Sequence, residues 1–80
     1  MRAYLLSHAH LEAECAIAFA AWSGISSPLR GDVAWAGCEL GDHRVFWRVE
    51  AAGASQALAL LPEFVAERTV AIAIREVVIP

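Results

Sequence analysis

Three histidines and two cysteines are the residues here best suited to holding a metal ion, and two of the histidines stand one residue apart in "LLSHAH", residues 5 to 10. His8 and His10, at i and i+2 of a strand, project to one face about 7 Å apart at Cα. Two imidazoles so placed can share a borderline ion such as Ni²⁺, Cu²⁺ or Zn²⁺, with a third nitrogen, a thiolate or a carboxylate completing the set. The same pair also suits a polar strand end, solvated or hydrogen-bonded, which is the commoner use of such histidines. Spacing alone does not separate the two readings. Cys15 and Cys38 lie 23 residues apart, with neither Cys-x-x-Cys nor zinc-finger spacing. They read as reduced cysteines behaving as small apolar groups.

Other side chains offer chemistry of a different class. Tyr4, Trp22, Trp35 and Trp47 are placed to line a pocket for an aromatic or apolar ligand, or to serve only as core. Cys15 near a helix start is read as core, and Arg30 as a solvated loop residue rather than an anion grip. No Ser/His/Asp order, paired acid–base carboxylates, phosphate-cradling glycine loop or nucleotide fingerprint is present. The reading is therefore a binding protein. The alternative is a small cofactor-independent enzyme using a histidine as general base in an apolar pocket.

Composition narrows the field. Hydrophobic residues are 59% of the chain and charged residues 19%, against a usual ~45–50% and ~25%. All six basic residues are arginines and the net charge is −3, which argues against binding a phosphate backbone. "MRAYLLSHAH" has too short an apolar region for a signal peptide, and no ~20-residue apolar run crosses a membrane. A soluble, cytoplasmic chain of one domain, residues 1–80, is expected.

The elements that must position the histidines follow from periodicity. "RAYLLSH", 2 to 8, reads as a strand with Tyr4 and Leu6 on one face and Ala3 and Leu5 on the other. Leu11 to Trp22 changes to helical spacing, with Leu11, Cys15, Ala18, Phe19 and Trp22 on a stripe and Gly24 as the stop. Residues 33–40 and 43–51 alternate around Gly41 and Asp42 as a hairpin, with Val45, Trp47 and Val49 facing the core. A second helix spans 55–67, with Ser55 as N-cap, Leu58, Leu61 and Val65 on its stripe, and Pro62 kinking or restarting it. Residues 70–80 close the chain as a strand.

The order strand, helix, strand, strand, helix, strand is the α+β pattern of a ferredoxin-like βαββαβ sandwich: a four-stranded antiparallel sheet, first strand central, with two helices on one face. In that topology His8, His10, Cys38, Glu39, Asp42, His43 and Glu67 all reach one end of the sheet, and a metal site there would draw on His8, His10, His43 and Cys38. The uncovered face would carry Phe46, one apolar set of the first strand, and Ala71 or Ala73. That is more apolar surface than a monomer leaves wet, so a homodimer through the open face is expected.

Three short stretches, "YLLSH" ending the first strand, "RVEA" ending the third and "REVVIP" ending the last, carry a resemblance. The layout resembles a group of small bacterial single-domain ferredoxin-like proteins, mostly of unknown function, which includes a nickel-binding, nickel-responsive member. His8 and Glu76 match that pattern. The resemblance implies the same fold and makes His8 a possible nickel ligand; the Cys15 helix, "SSPLRGD" and "DHRVFW" have no counterpart in it.

Overall fold

In the computed structural model, which describes all 80 residues, the alternating segments become strands with unequal faces. Strand β1 (Arg2–Ala9) buries Tyr4, Leu6 and His8, while β3 (Arg44–Ala51) buries Val45, Trp47, Val49 and Ala51. The two pair antiparallel with Leu6 opposite Trp47 and Tyr4 opposite Val49, so both buried sets share one side of the sheet. On the other flank of β1 lies β4 (Thr69–Ile74), and β2 (Trp35–Ala36) adds to β3. The sheet order is β2-β3-β1-β4, antiparallel throughout, with β1 and β3 central.

The helical segments pack on the side that carries Tyr4, Leu6 and Trp47. A 3₁₀ turn, Glu12–Glu14, leads into α1 (Cys15–Ala20), which buries Ala18. The second helical stretch is two helices, α2 (Ala54–Leu58) and α3 (Glu63–Ala66). Pro62 is the N-cap of α3 and so restarts the helix rather than kinking it. Gly53, not Ser55, precedes α2 as its cap. Ala57, Leu61 and Val65 from this stretch join the core, with Val65 almost fully buried.

Two expected strands are shorter than their sequence pattern. Residues 33–40 yield only Trp35–Ala36, because the chain curls at Gly37, whose carbonyl accepts from Leu40 N (2.8 Å) and Asp42 N (3.0 Å). Cys38–Leu40 is then a 3₁₀ turn that ends in left-handed Gly41, φ 88°. The last strand stops at Ile74 although the β-branched pattern runs on to Ile79. Its partner β1 runs out: Ala3 pairs with Ile74, and only Met1 and Arg2 remain beyond it.

The open face also differs in detail. Ala71 stands opposite Leu6 and Ala73 opposite Tyr4, which assigns both alanines to the helix side. Val70 and Ile72, 64% and 44% exposed, take the open side with Leu5 and Phe46.

Candidate metal centre

The end of β1, the start of β3 and the two 3₁₀ turns converge on one sheet edge. His10 follows the last residue of β1, and its N–H donates to the carbonyl of His43, just before β3, at 3.1 Å. Cys38 opens the turn that Gly37 starts, and Cys15 is the first residue of α1. One donor atom from each of His10, Cys15, Cys38 and His43 lies within 4.8 Å of every other. His10 Nε2 and Cys38 Sγ are 3.6 Å apart. In a tetrahedral site with metal–nitrogen bonds of about 2.0 Å and metal–sulfur bonds of about 2.3 Å, neighbouring donors stand ~3.3–3.8 Å apart. The four donors thus need only small inward movements to meet one ion.

The direction of the hydrogen bonds behind His10 follows from a backbone carbonyl. His8 is 1% exposed, and its Nδ1 lies 3.2 Å from Val65 O and 3.1 Å from Thr69 Oγ1. Thr69 gives its hydroxyl proton to Val65 O at 2.6 Å. Both oxygens around His8 Nδ1 therefore act as acceptors toward it, and Nδ1 must carry the proton. The other nitrogen of the neutral ring, Nε2, is then an acceptor, and it receives the Nδ1–H of His10 at 2.9 Å. That leaves His10 Nε2 unprotonated, with its lone pair available beside Cys38. A ligating imidazole is usually oriented in this way, by an acceptor on its second nitrogen.

Burial holds the imidazoles in that state. The His8 pKa lies below the usual histidine value, chiefly because burial disfavours the charged ring, with His10 and Arg68 nearby adding to the effect. Burial also lowers that of His10, and neighbouring His43 acts in the same sense. The thiol of Cys38 shifts the other way: burial raises its pKa first, and the thiol of Cys15 beside it raises it further. His43 Nδ1 is buried without a hydrogen-bond partner. An orphaned buried nitrogen is costly, and an incoming ion or water relieves that cost.

Glu14 fixes the short link between His10 and Cys15. Its carboxylate accepts from Leu11 N at 2.9 Å and from Arg68 Nε at 3.2 Å, and the Leu11 amide is the main reason its pKa lies below the usual carboxylate range. Arg68 in turn donates to Phe64 O at 3.1 Å and stacks over the Phe64 ring, 3.7 Å from its centre. The turn before Cys15 is thereby tied to α3.

Of the residues anticipated as ligands, His10, Cys38 and His43 come together, while His8 stands behind His10 and touches it. Cys15, read from sequence as a core residue, is the fourth member of the cluster. Its signal was position: a helix starting five residues after His10 must begin at the same sheet edge. Asp42 pairs with Arg44, and Glu67 with Arg68, and neither carboxylate joins the four-donor group. The four aromatic residues do not assemble: Tyr4 is core, Trp22 packs on Trp47 with centroids 5.9 Å apart, and Trp35 is 70% exposed on the opposite face. Trp22 and Trp47 do line a cleft of about 300 Å³ with Phe19 and Arg30. No helix is long and apolar enough to cross a membrane. The chain matches no protein-family model, no curated protein and no solved structure.

Proposed function

We propose that this protein is a metal-binding domain of ferredoxin-like topology that holds one Zn²⁺ ion through His10, Cys15, Cys38 and His43. The observation that carries the reading is the convergence of two thiol sulfurs and two imidazole nitrogens, from separate chain segments, within 4.8 Å. Two thiolates and two imidazoles form a closed donor set of the kind that suits a tetrahedral d¹⁰ ion, with no position left for substrate. The set supports binding rather than catalysis, and it favours Zn²⁺ over the Ni²⁺ that the sequence resemblance suggested. Cu²⁺ is disfavoured too, since it prefers tetragonal coordination.

Elemental analysis of untagged protein, with Co²⁺ substitution read by visible absorption, tests this reading. One equivalent of metal and the intense bands of tetrahedral cobalt with thiolate ligands are expected, and His10→Ala should abolish both while the fold persists. Wild-type protein that binds neither Zn²⁺ nor Co²⁺ overturns the proposal; square-planar nickel spectra at higher affinity would reassign the ion.

We also propose that the open sheet face meets a second copy of the chain. Leu5, Phe46, Val70 and Ile72 supply its apolar centre. Arg48 and Glu50 stand two residues apart on that face, both exposed. A two-fold axis between them sets each arginine against the glutamate of the other copy, so the face is complementary to itself in charge. Sedimentation at micromolar concentration should give a dimer that Ile72→Glu dissociates, and a wild-type monomer would end the idea.

A further inference from the structure

The two cysteines have a property that metal binding alone does not require: they share one opening to solvent. Cys15 and Cys38 both line a cleft of about 450 Å³ together with Phe19, Ala36, Glu39 and Leu40. Both are partly exposed and in the free thiol form, whereas His10 is 7% exposed and lies behind them. They are the only cysteines in the chain, so neither has another thiol to pair with. Their sulfurs lie within 4.8 Å of each other, and each sits in a short turn or helix start rather than within the strand ladder. Residues 21–34 between them contain no helix or strand, which lets the two segments move together by the remaining distance.

We propose that Cys15 and Cys38 are a redox-modification site at which a hydroperoxide converts the thiolate pair into a disulfide and expels the metal. The inference rests on the metal-binding reading above. In the first step one thiolate attacks an oxygen of hydrogen peroxide; the O–O bond breaks, a sulfenic acid forms and hydroxide departs (an alkoxide, where the oxidant is an organic hydroperoxide). In the second step the other thiolate attacks the sulfenic sulfur, the S–S bond forms and a second hydroxide departs. The two cysteines together lose two electrons to the peroxide, and two protons from solvent convert the hydroxides to water. Half of the donor set is then unable to ligate, because a disulfide sulfur carries no thiolate charge. The two imidazoles that remain are a weak pair, and the ion leaves. Reduction by a small dithiol regenerates both thiols and the site.

The mechanism is tested on zinc-loaded full-length wild-type protein treated with stoichiometric hydrogen peroxide. Intact mass should fall by about 2 Da for the metal-free polypeptide, one equivalent of zinc should appear on a chromogenic chelator with the same time course, and dithiothreitol should reverse both. Cys15→Ser and Cys38→Ser should each show no such mass loss and instead gain one oxygen on the remaining cysteine. Zinc retained after the disulfide forms, or zinc released only with oxygen added to wild-type cysteines, overturns the switch. Protein that binds no zinc defeats the metal reading. In that case the mass change of the metal-free chain still decides whether the pair oxidises to a disulfide.

Discussion

At the scale of single residues, the most informative side chain is one that is not a ligand. His8 lies under His10, accepts the hydrogen bond from its Nδ1–H and passes the constraint to the carbonyl of Val65. His8→Leu keeps the buried volume roughly constant but removes the acceptor, so His10 loses the partner that fixes its tautomer. Metal affinity should fall about 10–100-fold, measured by competition with a chromogenic chelator, while the circular dichroism spectrum stays native. An unchanged affinity would remove His8 from the site altogether.

The same residues set the response to pH. Above pH ~6.5 both buried imidazoles are already neutral, since their pKa values lie below the ordinary histidine value. An ion bound there must displace the proton of Cys38, whose pKa burial raises. Zinc affinity should therefore rise with pH by about one decade per unit on account of that proton, until the Cys38 thiol titrates. Metal-free protein has its own dependence. A depressed native pKa means that the unfolded chain takes up protons first, so the His8 and His10 contribution to stability is present above pH ~6.5 and lost as pH falls below it. Urea midpoints measured across that range should decrease toward acid.

At the scale of elements, the turn between β2 and β3 decides whether the site exists. Gly37 starts it, and a Cβ added there would meet the carbonyl oxygen of Asp42 at 2.5 Å and its Cβ at 3.1 Å. Backbone atoms cannot yield as a side-chain tip can, so Gly37→Ala must open the turn that holds Cys38 and His43 in register. Metal affinity should drop at least tenfold, the loss of about 1.4 kcal/mol that tenfold represents, and more than stability does, because β1 and β3 pair independently of that turn. Gly41 and Asp42 marked a hairpin here, but the start of the turn at Gly37 was not legible in advance. Residues 33–40 alternate like a strand, and the pattern carries no mark of the close approach between Gly37 and Asp42. The helical stretch after β3 was legible in its apolar stripe, since Leu61 and Val65 are core, and in its proline break.

At the scale of the whole molecule, an 80-residue chain buries only ~60% of its unfolded surface, so an ion that binds the native state has a large effect on stability. At a free zinc concentration 100 times its dissociation constant the gain is ~2.7 kcal/mol, and each kcal/mol moves the melting temperature by ~4–8 °C in a domain of this size. Chelation should thus lower the melting temperature by roughly 10–20 °C, readable by scanning calorimetry, and the melting temperature of His10→Ala should not respond to zinc or chelator.

Periodicity determined the core face of β3, though not that of β4 or of the first helical stripe, where Leu11 and Phe19 are exposed. Val45, Trp47 and Val49 are buried as their period-two spacing requires, and the antiparallel order carried His10, Cys38 and His43 to one sheet edge. What only the tertiary structure decided is which of those residues meet, and in what role. Period and topology specify faces and ends to within several ångströms, whereas a coordinating set is selected by distances of about one. At that finer level Cys15 left the core stripe for the cluster, His8 became the support of His10, and Trp35 turned to the opposite face from Trp47, because hydrogen-bond direction and strand register act between segments far apart in the chain.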